Sequence, residues 1–209
     1  YQESRLSAGE SKLCREILAA AESSGRFPSR AVVACQGIEG AYSQIACDKI
    51  FSLPQIMYFN RFDGVFRAVE NGMCRYGILP IENSSAGSVT EVYDLIEQYN
   101  CKIVRSLKLK IDHCLLALSG VKLEDVKEVV AHEQSLNQCS EFLKNNKIKI
   151  TVFNNNAAAA KYVAESGRRD LAAIASGSCA DLYGLQSVST RIANSDHNYT
   201  RFICISKNL

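Results

Sequence analysis

The chain has 209 residues, of which 47% are hydrophobic and 22% are charged, and its formal net charge is +2. This composition is close to that of ordinary globular domains, and it excludes a disordered chain, a collagen-like repeat and a coiled coil. The small and dispersed positive charge argues against a nucleic-acid partner. No uninterrupted apolar run approaches the roughly 18 residues of a membrane span, so no membrane association is expected.

The cysteine and histidine positions argue against a metal site. Nine cysteines are scattered without any Cys-x-x-Cys pair, and most lie inside apolar segments. Buried, reduced thiols explain this pattern and favour the cytoplasm. The histidines, His113, His132 and His197, lack the spacing of zinc ligands, so no metal is expected.

The first part of the chain predicts a parallel α/β arrangement. Residues 1–29 are polar and serine-rich, and they predict a lead-in helix and a linker. From residue 30 to residue 99 strand and helix patterns alternate, which favours a parallel sheet with helices on its faces. The predicted strands are 31–35, 55–59 and 76–81, and the predicted helices are 43–51, 62–69 and 92–99.

A second α/β block follows a long strand. Residues 101–118 predict two strands with no helix between them, which is typical of a crossover between subdomains. Beyond it, strand and helix patterns alternate again, and Gly184 is placed to end a helix. The predicted strands are 126–131, 147–153, 171–175, 187–192 and 201–206, and the predicted helices are 136–143, 157–165 and 176–182.

The first polar segment that can carry chemistry is Gln36–Ser43, between a predicted strand and a predicted helix. Gly37 and Gly40 permit a tight turn, and the start of the helix offers free backbone N–H groups to an anion. The segment matches neither the dinucleotide-binding fingerprint nor the P-loop. Both an anion site and an ordinary strand–turn–helix corner remain open.

The second polar segment, Pro80–Val89, is predicted to be a loop before a helix. Ser88 and Glu91 have the spacing of a capping box at the start of that helix. This capping box does not account for Glu82 and Asn83, and with the neighbouring hydroxyls they could form a binding site for a substrate carboxylate. Function and simple capping are evenly balanced for this segment.

The third polar segment, Asn194–Phe202, runs from a loop into the last predicted strand. Arg201 offers a fork of donors suited to a carboxylate, and Thr200 offers a hydroxyl on a rigid element. An ordinary loop with a surface arginine is the alternative.

A fourth segment, Ala131–Cys139, contains a histidine at the end of a strand. His132 could act as a general base, but a satisfied structural histidine is the more common case. Gln138 could face a cleft between the two blocks. Further on, Asn154–Asn156 is placed to cap the following helix and leaves polar groups to spare.

These segments supply amides, hydroxyls and one arginine rather than a catalytic triad, paired carboxylates or a metal cluster. Such groups stabilise anions and position a leaving group through hydrogen bonds. The sequence therefore predicts a site for an anionic substrate that is already close to reacting.

Taken in order, the motifs resemble those of the prephenate dehydratase family. The resemblance extends from about residue 31 to residue 205. The matching stretches are 36–43, 78–87, 113–116, 132–139, 174–185 and 198–202. One such motif alone would be weak evidence, but six in the right order are strong evidence.

The resemblance implies a fold and a reaction. The expected fold is α/β, with two α/β subdomains and a cleft between them, similar to type 2 periplasmic-binding proteins. The expected domains are the lead-in 1–29, subdomain 1 at 30–107 plus 190–209, and subdomain 2 at 108–189. The expected activity is a lyase reaction of phenylalanine biosynthesis, in which prephenate loses carbon dioxide and its ring hydroxyl to give phenylpyruvate. Family members often carry a chorismate mutase or an ACT domain, so the chain is expected to be a catalytic domain of a longer protein.

The resemblance also implies roles for individual residues. Thr200 would donate a hydrogen bond or a proton to the departing hydroxyl, while Arg201 and the Asn83–Ser84 loop would hold the two substrate carboxylates. Glu82, Gln138 and Phe202 would shape the site around the ring. The other expected substrate contacts are Gly40, Ala41, Tyr42, His132 and Asn156. No cofactor is implied, since aromatisation drives the step, and a homodimer is expected.

Three positions depart from the family pattern. Ala131 replaces a serine, which removes one contact to a substrate hydroxyl, and Glu133 replaces a common proline. Asn154–Asn156 replaces a stretch rich in serine and threonine. Two alternatives stay open, namely an arogenate dehydratase, whose substrate has an amine in place of the keto group, and a non-catalytic solute-binding module.

Overall fold

The computed structural model describes residues 30–208, and these divide into two compact units. Within the described range, the first unit contains residues 30–36, 43–109 and 199–208, and the second contains residues 37–42 and 110–198. Each unit is built around its own sheet. The lead-in helix and linker expected for residues 1–29 lie outside the described residues.

The first unit is a six-stranded sheet with helices against it, in the strand order β2-β1-β3-β11-β5, with β4 paired to β3. Strand β1 pairs in parallel with β2 and β3, whereas β11, the last strand of the chain, runs antiparallel to β3. The elements are β1 (Arg30–Gln36), α1 (Tyr42–Ile50), β2 (Leu53–Phe59), α2 (Phe62–Glu70), β3 (Tyr76–Asn83), β4 (Gly87–Ser88), α3 (Thr90–Gln98), β5 (Lys102–Lys110) and β11 (Tyr199–Ser206).

One face of this sheet is covered by α2 and α3. Apolar residues recur at helical spacing in both helices, and they bury Phe66 and Val92 against Leu79, Ile81 and Ile203 of the sheet. Because side chains alternate along a strand, the neighbouring residues on β3 and β11 point to the other face. The polar residues at the Tyr199 end of β11 therefore divide between two faces.

The second unit contains a five-stranded sheet in the order β10-β6-β9-β7-β8. Strand β7 pairs in parallel with β8 and β9, and β6 runs antiparallel to β9 and β10. The elements are β6 (Cys114–Ala117), a 3₁₀ turn (Leu123–Asp125), β7 (Glu128–Ala131), α4 (Glu133–Gln138), α5 (Ser140–Asn145), β8 (Lys149–Val152), α6 (Asn156–Ser166), β9 (Leu171–Ala175), α7 (Ser178–Tyr183) and β10 (Gln186–Ser189).

Several expectations are confirmed. The fold is α/β with two subdomains, and each predicted strand has a counterpart within a few residues. Gly184 ends α7 in the left-handed conformation, and Asn155 caps α6 by accepting a hydrogen bond from the backbone N–H of Ala158. The unit boundaries lie elsewhere than expected, since the second unit spans 110–198 rather than 108–189 and also includes 37–42.

Three local expectations are wrong. The segment Pro80–Val89, predicted to be a loop, contains a hairpin, because β3 continues to Asn83 and pairs with the short β4. Ser88 does not cap a helix, since it lies in β4 and Val89 precedes α3 without a side-chain cap. The single helix predicted at 136–143 is two short helices, α4 and α5, that meet at Cys139.

Candidate functional site

A β-bulge sets the direction of the polar side chains where β3 pairs with β11. Thr200 lies opposite Asn83 and Arg201 opposite Glu82, but the next residue of β11 lies opposite Pro80. Ile81 is therefore an extra residue on β3, and it shifts the alternation of every side chain beyond it. As a result Asn83 lies on the same face as Thr200.

Asn83 and Thr200 form a hydrogen-bonded pair with a fixed polarity. The Asn83 side-chain oxygen accepts hydrogen bonds from the Ser85 backbone N–H at 2.9 Å, from the Ser85 hydroxyl at 3.0 Å and from the Ala86 backbone N–H at 3.0 Å. These donors hold the oxygen in the hairpin turn, so Nδ2 is the end that meets Thr200, and it donates to Oγ1 at 2.9 Å. Since Thr200 Oγ1 accepts from this amide, its own proton can be donated to another group.

Ser84 anchors the first residue of β11. Its backbone N–H donates to the Tyr199 carbonyl at 2.8 Å, and its hydroxyl accepts from the Tyr199 backbone N–H at 2.8 Å. The expected role of Ser84 in holding a substrate carboxylate is thus accompanied by a direct structural role in placing the residue before Thr200.

Arg201 and Thr200 lie on opposite faces of the strand pair, although both are expected to contact the substrate. Adjacent strand residues alternate, and Arg201 shares the side of the α2-facing residue Ile203. Its Nε donates to Glu82 Oε1 at 3.2 Å, and its guanidinium donates to Ser106 Oγ of β5 at 2.9 Å. Arg201 and Glu82 therefore link three strands.

Phe202 belongs to the interior of the first unit. By alternation it shares the face of Thr200, and only 3% of its surface is exposed. It therefore packs beneath the surface beside Thr200, and a contact of Phe202 with a substrate ring stays a prediction.

In the second unit Gln138 is held by a buried histidine and a buried asparagine. Its Oε1 lies 2.7 Å from His113 Nε2 and accepts a hydrogen bond from Asn198 Nδ2 at 2.8 Å. His113 and Asn198 are 2% and 3% exposed. Burial lowers the pKa of His113 below its ordinary value, and this outweighs the opposing effects of Gln138 and of the Asp112 charge.

The segment 37–42 also belongs to the second unit. Tyr42 donates its hydroxyl to the Asp112 carbonyl at 2.9 Å, and its ring forms a T-shaped pair with that of His113, with the ring centroids 6.4 Å apart. Burial raises the pKa of Tyr42, so its hydroxyl stays protonated. Gly40 has a φ of +94°, and its carbonyl accepts from the Cys179 thiol at 3.4 Å, while Ala41 closes the turn through its backbone N–H.

His132 and Asn156 form a separate polar pair of the second unit. His132 caps α4, because its Nδ1 accepts from the Gln134 backbone N–H at 3.2 Å. Its own backbone N–H donates to Asn156 Oδ1 at 2.9 Å, and Asn156 Nδ2 donates to the Ser135 hydroxyl at 2.7 Å. These contacts favour the structural interpretation of His132 over a general base.

The described residues offer amide and hydroxyl donors rather than metal ligands. Within residues 30–208, no group of three or more His, Cys, Asp or Glu side chains is arranged to hold a metal ion. No helix in that range is long and apolar enough to cross a membrane. Asn83 in the first unit and Gln138 in the second both have their amide oxygens engaged by neighbouring donors.

Sequence reasoning gave no role to His113 or to Asn198. Both stand in motifs that the resemblance includes, but their importance lies in their contacts with Gln138. In the chain, His113 is 25 residues from Gln138 and Asn198 is 60 residues from it. The one available signal was that each is a polar residue beside an apolar strand.

Solved structures with the same fold include a prephenate dehydratase. The enzyme from Arthrobacter aurescens, in complex with L-Phe, matches with a TM-score of 0.78 at 24% identity, covering 84% of this chain and 60% of that one. A protein described as GqqA, a quorum-quenching acylase, also matches with a TM-score of 0.78, at 29% identity over 85% of this chain and 64% of that one.

Relatives by sequence carry the family assignment. Arogenate dehydratase 2 of Petunia hybrida is 40% identical over 179 residues, which are 86% of this chain and 45% of that protein. The bifunctional chorismate mutase/prephenate dehydratase of Enterobacter agglomerans is 35% identical over 186 residues, 84% of this chain and 46% of that protein. The chain thus spans about half the length of these relatives. The family model described as prephenate dehydratase matches residues 33–209, and on this evidence the chain belongs to the prephenate dehydratase family.

Proposed function

We propose that this chain carries the catalytic unit of a prephenate dehydratase, a carbon–oxygen lyase of phenylalanine biosynthesis. The observation that carries the proposal is the hydrogen bond from Asn83 Nδ2 to Thr200 Oγ1. It engages the Thr200 oxygen as an acceptor and directs the hydroxyl proton elsewhere. A hydroxyl donor of fixed direction is what the departure of a ring hydroxyl requires.

The reaction balances without a cofactor. The bond between the ring and its carboxylate breaks, and its electron pair aromatises the ring as the bond to the hydroxyl breaks on the other side. The hydroxyl leaves as water after taking up one proton, and the carboxylate leaves as carbon dioxide. Thr200 is a weak acid, so its main contribution is a hydrogen bond that strengthens as negative charge grows on the leaving oxygen.

The other substrate contacts are proposals of the same kind. Gln138, whose oxygen is engaged by His113 and Asn198, can meet a substrate acceptor through Nε2. Gly40, Ala41, Tyr42, His132 and Asn156 are proposed contacts of the second unit. For Ser84, Glu82 and Arg201, the contacts within the chain support a role in placing β11.

The decisive experiment is to add prephenate and to measure phenylpyruvate. We expect Thr200→Val, which keeps the shape and removes the hydroxyl, to lower kcat by at least about a hundredfold while prephenate still binds. Thr200→Ala is expected to behave in the same way, and Thr200→Ser is expected to retain most of the turnover. Near-native turnover in Thr200→Val would remove Thr200 from the mechanism.

Arogenate is a second candidate substrate, because relatives at 36–40% identity are named arogenate dehydratases. Arogenate bears an ammonium group where prephenate bears a keto group, and an ammonium needs hydrogen-bond acceptors. The oxygens of Asn83 and Gln138 are already engaged, which supports prephenate. Turnover of the two compounds at equal concentration distinguishes the candidates, and tight binding of prephenate without any phenylpyruvate would instead support a solute-binding module.

The setting of the enzyme is also a proposal. We infer a reducing compartment and propose the cytoplasm, because the eight described cysteines are all free thiols. Names of several relatives place those proteins in the chloroplast. A homodimer is proposed from the family resemblance, and light scattering of the purified protein tests it.

A further inference from the structure

The buried histidine of the second unit has a defined tautomer. His113 Nε2 lies 2.7 Å from Gln138 Oε1, and the same oxygen accepts a hydrogen bond from Asn198 Nδ2 at 2.8 Å. An amide oxygen can only accept, so His113 Nε2 is the donor of the shorter contact. The proton of the neutral imidazole therefore resides on Nε2. Among the described residues nothing hydrogen bonds to Nδ1, which is buried.

The surroundings of the ring favour its neutral form. His113 is 2% exposed, its ring forms a T-shaped pair with that of Tyr42, and the charge that faces it is that of Asp112. A doubly protonated ring would need an acceptor for Nδ1–H in a buried place, which is costly. The ring is thus a donor through Nε2 and carries no charge near neutral pH.

Two donors meet at one amide oxygen, and this fixes the Gln138 side chain. If the amide were rotated by half a turn, its NH₂ group would face His113 Nε2–H and Asn198 Nδ2–H, leaving buried donors without acceptors. The backbone holds all three residues in place. The Asn198 carbonyl accepts from the Ile111 N–H at 2.8 Å, the Gln138 carbonyl from the Asn194 N–H at 2.7 Å and the His113 carbonyl from the Ile192 N–H at 3.3 Å. Gln138 can therefore address a further group only as a donor, through Nε2.

We propose that His113 is a positioning residue, which as its Nε2–H tautomer fixes the Gln138 amide so that Nε2 donates to an anionic or carbonyl oxygen of the substrate. This inference rests on the proposed function for the identity of that substrate. The geometry of the three side chains carries it, and His113 itself needs no contact with the substrate.

Two substitutions at position 113 separate the donor from the volume. His113→Leu fills much of the space but removes the donor, and we expect kcat/KM for prephenate to fall about tenfold or more. His113→Gln places an amide NH₂ near the position of Nε2, and we expect it to keep kcat/KM within about threefold of the wild type. Equal losses in both variants would overturn the proposal.

A double-mutant cycle tests whether His113 acts through Gln138. In the Gln138→Ala background, His113→Leu should produce no further loss of kcat/KM, because the group that it positions is already absent. An undiminished further loss would show that His113 acts by another route. Val163→Ala serves as the matched control, since it removes buried volume from the core of α6 without touching the amide cluster. It should lower the melting temperature and leave kcat/KM per folded molecule unchanged.

A spectroscopic measurement keeps the proposal testable if a variant fails to fold or if prephenate is not the substrate. A long-range ¹H–¹⁵N spectrum of the wild-type protein near neutral pH should show His113 protonated at Nε2 and unprotonated at Nδ1. The NH₂ signals of Gln138, identified by their loss in Gln138→Glu, should move in His113→Leu and less in His113→Gln. An Nδ1–H tautomer would overturn the inference whatever the substrate proves to be, whereas absence of phenylpyruvate with the expected spectrum would overturn only the proposed function.

Discussion

Asn83 donates its side-chain amide to the Thr200 hydroxyl, and the oxygen of the same amide closes the adjoining hairpin turn. The turn therefore determines which end of the amide faces Thr200. Because Nδ2 can only donate, Thr200 Oγ1 must accept, and the direction of its proton follows from a turn in the neighbouring strand.

Asn83→Asp should disable this arrangement without disturbing the turn. One carboxylate oxygen can still accept from Ser85 and Ala86, but the other would take the Thr200 proton for itself. We expect kcat to fall at least about a hundredfold while the melting temperature changes little. Asn71→Asp is the matched control, because Asn71 also accepts from a backbone N–H two residues further on, that of Met73. Turnover of the Asn83 variant as high as that of the control would contradict the assignment.

Arg201→Met should affect stability more than substrate binding. Its partners Glu82 and Ser106 lie on the neighbouring strands, on the face opposite Thr200. Such a half-exposed ion pair contributes roughly 1 kcal/mol or less to the free energy of unfolding. We expect that small loss in urea unfolding and a change in KM of less than about threefold. A KM raised more than about tenfold would restore Arg201 as a carboxylate-binding residue.

His113 should make the stability of the protein depend on pH. Burial lowers its pKa in the folded state, whereas the unfolded chain has the ordinary value of about 6.5. The unfolded state thus binds more protons between these two values, so this contribution to stability is fully present above about pH 6.5 and is lost as the pH falls towards the folded-state pKa. Urea unfolding across this range should show the loss in the wild type and a flatter profile in His113→Gln.

The exposed His197 provides the control for that measurement. His197→Gln replaces an exposed histidine in a loop of the same unit, and we expect its stability profile to follow that of the wild type. If both variants flatten the profile to the same extent, the dependence does not come from burial of His113.

Gly40→Ala should destabilise the protein more than its backbone angle alone requires. A Cβ at Gly40 would lie 3.0 Å from both Cys179 Sγ and Leu182 Cδ2, and its φ is +94°. Gly72 has a φ of +81° and open space around it, so Gly72→Ala isolates the cost of the backbone angle, roughly 1 kcal/mol. We expect Gly40→Ala to cost at least roughly 2 kcal/mol in chemical unfolding because the clash adds to that cost. Equal losses of unfolding free energy in the two variants would mean that α7 shifts to accommodate the added Cβ without a measurable cost.

The regular elements could be predicted because their patterns are local. The β-branched run before Gln36 and the spacing of Val65, Phe66 and Val69 each depend on neighbours within one strand or two helical turns. The extra residue Ile81 could not be predicted, since it is defined only by pairing with a strand more than a hundred residues later in the chain. The same holds for the contact of His113 with Gln138.

The capping box expected at Ser88 and Glu91 shows a second limit of prediction from the sequence. The spacing was right for a cap, but Gly87 and Ser88 pair with β3 and delay the start of the helix to Thr90. Ladder hydrogen bonds to an existing strand outweighed a local preference. Polar residues that belong to a functional site or a hairpin can thus have the same spacing as those that cap the start of a helix.

The extra residue at position 81 also decides which changes of length this stretch tolerates. Loss of Ile81 would remove the bulge but leave Asn83 opposite Thr200, because Pro80, Glu82 and Asn83 would then pair one to one with Phe202, Arg201 and Thr200. With all residues present, an unbroken ladder would instead place Asn83 opposite Tyr199 and turn its side chain towards α2 and α3. Natural variants and redesigned sequences should therefore either keep the bulge or lose the residue that forms it.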